Sequence, residues 1–529
     1  MEIKKKNFFT LTFFIIGFII LLPICIVFLQ TLKISKQDLI LFLNSNFIDY
    51  SKQTFLLVIL TALYSLILAV VPAFILSFFK IKYKNIFDVL LTLPLAIPCY
   101  IIAFTYSDII GFNGYLYNLF NYWFNFQSDV LNIYWLSLFL SFSLYPYIYI
   151  TSRISFSLIG STYLNLSQNL SLSKFKIIHK IIIPLSFSGI FSGLILVVME
   201  ILNEYGAVKY FGIETFSVGI FKYWFSLSNK SVAIFLSATL LILVLLLLYF
   251  SSFLSKRDEK IRYHIKSNIK SSHLFSHSNN NFILYFIISL PIFFGFLLPV
   301  IHITNNVIKY INNYNFNDLL QLVGNSLYVS FISSLFIVII SFYLLNVKRE
   351  FKNKYVTNIL KLLTTGYAIP GAVIGLSLML FIRFFDTNLT FLMGSIFLLI
   401  YAYIFRFMSV AIYPIQSSME KQPIIFDKQS KSLKSSYLKT FTNITLPLNK
   451  KALLSAFILV FIDIVKELPI TLILRPFNFE TLATQTYIYA SEENLGLSSL
   501  FSLTIIICCS ILLVYVTSIL NKKNVSKSK

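Results

Sequence analysis

Two pairs of acidic residues stand at matching places in otherwise apolar stretches. Glu200 and Glu204 are four apart, as are Asp463 and Glu467, so each pair lies on one helix face. The second pair follows the first by 263 residues (463 against 200, 467 against 204). Charge inside a membrane segment is costly, so a repeated pair points to a route through the membrane. Carboxylate oxygens are hard donors and suit hard cations. Facing each other, the four carboxylates would line one level of a pathway, as a transient site or an electrostatic guide. The alternative is structural: Glu467 pairs with Lys466 or Arg475, and Glu204 fixes the loop after it.

Such pairs need helices to carry them, and the composition provides these. Of the 529 residues 57% are hydrophobic and only 12% charged, which excludes a soluble domain. Runs of about 20 apolar residues cross a bilayer as helices. The pattern predicts twelve, at 8–30, 53–79, 87–110, 131–151, 186–204, 231–253, 282–302, 322–346, 357–382, 391–412, 452–472 and 499–520. The first is too long for the core of a cleaved signal and lacks a small-x-small site after it, so it reads as a retained helix. With Lys4-Lys5-Lys6 in the cytoplasm, most of the 43 Lys and Arg fall on that side and most of the 21 acids do not. The positive-inside rule then puts both termini in the cytoplasm. The net charge of +22 is spread over short loops such as Lys80–Lys84 and Lys348–Lys354. These read as topology determinants and contacts with the lipid bilayer, and require no nucleic acid. Cys25, Cys99, Cys508 and Cys509 read as apolar core residues, and His273 and His277 as solvated.

The chain also reads as a tandem repeat. A polar, basic linker at 254–281 separates a first half, 1–253 (core 50–253), from a second, 282–529 (core 321–520). Leu95-Ala96-Ile97-Pro98 corresponds to Tyr367-Ala368-Ile369-Pro370, and Pro184 to Pro447 with the same offset as the acids. Six crossings per half give both copies one orientation. The expected fold is all-α: two six-helix domains related by a pseudo-twofold along the membrane normal, with the pathway at their interface. The loops before the fifth helix of each half, 152–185 and 413–451, are long and carry helical pattern of their own. Each reads as a short helix, a break, and an amphipathic stretch ended by Pro184 or Pro447. Arg153 and Arg406 read as interface anchors at the cytoplasmic ends of the fourth helices. Pro94, Pro98 and Pro370 should bend or unwind the third helices.

These loops resemble the signature of ABC importer permeases: an acidic-Ala-Ala triplet, three residues, Gly, nine residues, Ile-x-Leu-Pro. Ile181-x-Ile183-Pro184 puts the glycine position at Ser171 and the triplet at Asn165-Leu166-Ser167. Ile444-x-Leu446-Pro447 puts them at Lys434 and Lys428-Gln429-Ser430, so glycine and acid are replaced in both copies. The segment Lys466-Glu467-Leu468-Pro469-x-Thr471-Leu472-x-Leu474-Arg475-Pro476-Phe477-Asn478-Phe479-x-Thr481-Leu482-Ala483 looks like that of ferric-iron (Fe³⁺) permeases of the binding-protein-dependent type. Leu93–Pro98, Tyr145-Pro146-Tyr147, Tyr210-Phe211-Gly212, Gly366–Ala372 and Arg406-Phe407 agree with that family. The resemblance covers nearly the whole chain, in a fused two-domain form.

It implies a permease subunit of the bacterial inner membrane, with no bound cofactor and no catalysis of its own. The coupling loops, through Ser167, Ser171, Pro184, Ser430, Lys434 and Pro447, would dock on an ABC ATPase homodimer that consumes ATP. No phosphate-binding G-x-x-x-x-G-K-[ST] occurs in the chain, so hydrolysis belongs to that partner. Phe211, Arg475 and Phe477, expected outside the membrane, would receive a periplasmic binding protein, with Arg475 suited to a bidentate carboxylate; an interfacial aromatic belt is the plainer reading. Thiamine, phosphonate and sulfate permeases share this fold. A secondary transporter driven by protons or sodium also fits twelve helices and buried acids, but gives no reason for the two long loops.

Overall fold

The computed structural model describes residues 2–525 apart from 33, 35, 112–113, 115–128, 160–172, 263–280, 352–353, 385–390, 424 and 433–436. Its elements are helices throughout. We label the principal ones α1 Glu2–Thr31, α2 Phe47–Phe78, α3 Cys99–Ile110, α4 Ile133–Leu158, α5 Ile183–Asn203 and α6 Lys230–Arg262 in the first sequence half. In the second they are α7 Phe282–Lys309, α8 Phe316–Phe351, α9 Gly371–Phe384, α10 Ile396–Glu420, α11 Leu446–Val465 and α12 Leu495–Val525. Among the described residues, eight helices are long and apolar enough to cross a membrane singly, and three bent pairs bring the spans to eleven. α11 carries Lys450, Lys451 and Asp463 within its 20 residues and matches α5 by position, which accounts for the twelfth.

The bends follow the prolines. The segment Lys84–Ala96 meets α3 at 88°, with Pro98 as the residue before α3. Lys354–Ala368 meets α9 at 113°, beside Pro370. Proline lacks the amide a helix needs, and its ring crowds the preceding turn. At Pro184 and Pro447 the amphipathic stretch does not end as expected. A π turn, Ile178–Ile182 or Phe441–Thr445, ends two residues before the proline, and the helix runs on. Phe293–Leu297 stands in the same relation to Pro299 inside α7. The wider turn absorbs the missing bond that would otherwise kink the helix.

In each half the second and fifth helices pack on the fourth: α2 and α5 on α4, α8 and α11 on α10. Small residues permit the close crossing. Gly193 of α5 faces the backbone of Tyr147 and Ile148, and Ala456, fully buried, holds the corresponding place on α11.

The chain forms two compact units, Met1–Lys33 with Phe316–Thr484 and Ile511–Lys529, and Ile34–Asn315 with Gln485–Ser510. Within the first, α1 lies on α9 and on the short helix Lys354–Leu363. Gly17 abuts Ile359, and the Tyr401 hydroxyl donates to the Ile19 carbonyl. Within the second, α7 lies on α2 and α3; Tyr106 donates to the Phe294 carbonyl at 2.5 Å. The units therefore interleave the sequence. The first helix of each half covers the bent third-helix region of the other, where irregular backbone at membrane depth has to be enclosed by protein.

Candidate functional site

α5 ends at Asn203 and α11 at Val465, and each chain then turns into a short helix, Gly206–Tyr210 or Pro469–Leu474. Glu204 and Glu467 occupy these turns. Ala207 N donates to Glu204 Oε1 at 3.0 Å, and Ile470 N to Glu467 Oε1 at 3.2 Å. Each carboxylate thus caps the first turn of a short helix, whose amides have no partner within it and whose dipole favours negative charge. The turns are tied further by Ser217, which donates to the Glu204 carbonyl, and Thr471, which donates to the Glu467 carbonyl, both at 2.8 Å. Glu200 and Asp463 lie one helical turn back, half-buried.

The ion pairs differ from those expected. Glu467 faces Arg406, Nε to Oε2 at 3.6 Å, and not Lys466 or Arg475. Lys466 pairs with Asp463 at 3.3 Å, and Arg475 with Glu480. Arg406 and Glu467 are 2% and 6% exposed. Arg406 lies in the middle of α10, which runs on to Glu420, so it is no anchor at a helix end. Beside the pair, Tyr403 and Thr471 share a hydrogen bond of 2.6 Å. Arg153 is also more than an anchor. Its Nε donates to Asp88 Oδ1 at 3.0 Å and its NH1 to Ser77 at 3.1 Å, tying α4 to α2 and to the helix Lys84–Leu90.

In the loops, Pro184 and Pro447 enter the first turns of α5 and α11. Ser430 is buried on the helix Ile425–Ser432, where its hydroxyl and that of Thr440 share a bond of 2.6 Å. Ser167, Ser171, Lys434, His273 and His277 lie outside the described residues. The second loop is narrower than 413–451, because α10 extends to Glu420 and α11 begins at Leu446.

The expected docking residues separate. Phe211 is 4% exposed and meets Phe139 edge-on, which removes it from any surface. Phe477 is 93% exposed, next to Asn478 at φ 59°. Arg475 is half-buried, and burial lowers its pKa from the ordinary value. Sequence reasoning missed one junction altogether. His302 Nε2 meets Asp108 Oδ2 at 2.8 Å and Asn306 donates to the same oxygen at 2.8 Å, joining the end of α3 to α7. No local spacing announces a contact between residues so far apart in the chain.

Comparison with known proteins agrees with this architecture. The chain is 23% identical over 520 residues, 96% of its length and 97% of the relative's, to the "Fe(3+)-transport system permease protein FbpB 2" of Haemophilus influenzae. It is 28% identical over 208 residues, 37% of its length and 89% of the relative's, to the "Molybdenum transport system permease protein ModB" of the same organism. Residues 65–257 and 344–527 each match one family, and they take in both capped turns and the whole of α4, α5, α10 and α11. The chain therefore belongs, in two copies, to the inner membrane components of binding-protein-dependent transport systems.

Proposed function

We infer that this chain is the permease of a bacterial ABC importer that carries ferric iron from a periplasmic binding protein into the cytoplasm. One observation carries the reading: the likeness to an Fe(3+)-transport permease runs through 96% of the chain and includes both copies of the repeat. The protein sits in the inner membrane with both termini in the cytoplasm, so the turns at Glu204 and Glu467 lie on the outer side. Phe477 and Arg475, with Phe211 packed beneath its own turn, mark the side that meets the binding protein. The loops holding Ser167, Ser171 and Pro184, and Ser430, Lys434 and Pro447, couple to a homodimer of ATPase subunits. Closure of that dimer draws the loops together, parts the outer turns, and lets the ion enter. Glu200, Glu204, Asp463 and Glu467 supply the acidic groups at the level it passes. Glu204 and Glu467 do so from fixed capping positions.

Reconstitution tests this. In liposomes holding the permease and its ATPase, iron-loaded binding protein is expected to stimulate ATP hydrolysis and drive iron uptake. Uptake driven by a proton or sodium gradient without the ATPase would overturn the reading in favour of a secondary transporter. Stimulation only by a molybdate- or thiamine-loaded binding protein would reassign the substrate.

A further inference from the structure

The caps repeat, but the residues at matching positions of α4 and α10 differ. The residues before α4 and α10, Asn132 and Ser395, cap those helices and keep the 263-residue offset that relates Glu204 to Glu467. On that register Arg406 of α10 corresponds to Ser143 of α4, and Tyr403 to Leu140. Ser143 donates instead to the Ile97 carbonyl at 2.8 Å, and leucine has no hydrogen-bonding group in its side chain. At the turn after α11, by contrast, two buried tethers reach α10: Arg406 to Glu467, and Tyr403 to Thr471. Gly371, the first residue of α9, lies against both charges. A Cβ there would fall 2.8 Å from Arg406 NH1 and 2.9 Å from Glu467 Oε1.

We propose that Arg406 is a positioning residue for transport. It holds Glu467 ionised and seated as the cap of Pro469–Leu474, so that the second half's turn moves with α10 as one body. A carboxylate this deeply buried would shed its charge or its place without a cation beside it. In the first half Glu204 caps the turn, and the positions matching Arg406 and Tyr403 are Ser143 and Leu140. This role for Arg406 rests on the permease reading above.

The test compares Arg406→Met, Arg406→Lys and the double variant Arg406→Met with Glu467→Gln, in the full chain reconstituted with ATPase and binding protein. Two quantities are read: the maximal rate of stimulated ATP hydrolysis and the half-saturating concentration of binding protein. In detergent, a Phe477→Cys background reports the mobility of the loop through its rate of labelling by a bulky maleimide, measured above the native cysteines. Arg406→Met is expected to lower the maximal rate at least tenfold with half-saturation unchanged, and to raise labelling severalfold. The double variant keeps an oxygen for Ile470 N and removes the buried charge, so rate and labelling return to within about threefold of wild type. Arg406→Lys keeps the charge without the fork and falls between. Wild-type behaviour of Arg406→Met, or a double variant as impaired as the single, would overturn the proposal. Should Arg406→Met fail to reach the membrane, the lysine and double variants carry the comparison. If no binding protein stimulates the wild type, the permease reading fails, while labelling still decides the role of Arg406.

Discussion

Replacing Gly193 by alanine adds one methyl group where α5 crosses α4. That carbon would lie 2.6 Å from Ile148 Cα, 2.9 Å from the Tyr147 carbonyl oxygen and 2.3 Å from Thr151 Oγ1. Ordinary contact begins at 3.4 Å, and two of the three atoms are backbone, so a rotamer change gives no relief. The helices must part by most of an ångström. Overpacking of this kind costs ~1–3 kcal/mol, against ~0.5–1 kcal/mol gained by replacing a helical glycine with alanine. The net expectation is a loss of up to about 2.5 kcal/mol. Gly324 in α8 is the control, because a methyl group added there would have nothing within 4 Å. Gly324→Ala keeps only the gain and should stabilise by ~0.5–1 kcal/mol. Thermal unfolding of the detergent-solubilised permease should move down for the first variant and up for the second. If both moved up together, the close crossing of α4 and α5 would be refuted.

Three smaller perturbations follow from the same structure. Asn132 accepts from Tyr134 N and Trp135 N at 3.0 and 3.1 Å at the start of α4; Asn132→Ala should cost ~1 kcal/mol, and Asn132→Asp should restore it in the same unfolding assay. Lys222 has its pKa raised, chiefly by its hydrogen bond to Glu214 at 2.6 Å. A raised lysine stabilises the fold at all pH below its ordinary value and loses that contribution only above it. Both partners are more than one-third exposed, so Lys222→Met should cost under ~1 kcal/mol, with no pH dependence between about 6 and 9; a pH-dependent loss there would contradict the assignment. Phe477→Ser should leave stability within ~0.5 kcal/mol but raise the half-saturating concentration of binding protein roughly fivefold, as loss of an exposed aromatic anchor does.

The repeat was legible because Glu204 and Glu467, and Pro184 and Pro447, share one offset; the structure adds the caps Asn132 and Ser395 at the same spacing. The capped turns could be anticipated for the same reason: a glutamate directly after an apolar helix and three residues before a new one is a local signal. The partner of Glu467 could not. A hydropathy window marks where a helix is apolar, not where it ends, and α10 continues past 412 to Glu420. That difference moves Arg406 from a helix end to its middle, and changes an anchor into half of a buried pair. The prolines misled in the other direction. Pro184 and Pro447 are helix breakers in isolation, but three π turns accommodate three prolines without a break. The Asp108–His302 junction and the placement of α1 on α9 depend on packing between distant segments, which no spacing within a window can report.

The interleaving of α1 with α9 has a consequence for synthesis. Some 340 residues separate Thr31, where α1 ends, from Gly371, where α9 begins. At ribosomal rates of about 5–20 residues per second, α1 waits on the order of tens of seconds in the bilayer before its partner exists. During that interval Gly17 and the Ile19 carbonyl face lipid or another membrane protein. The unit containing α2 to α7 takes shape first and lacks only Gln485–Ser510, the last part to reach it. A chain arrested near residue 315 should therefore hold its first helix unassembled, a natural mark for quality control to recognise.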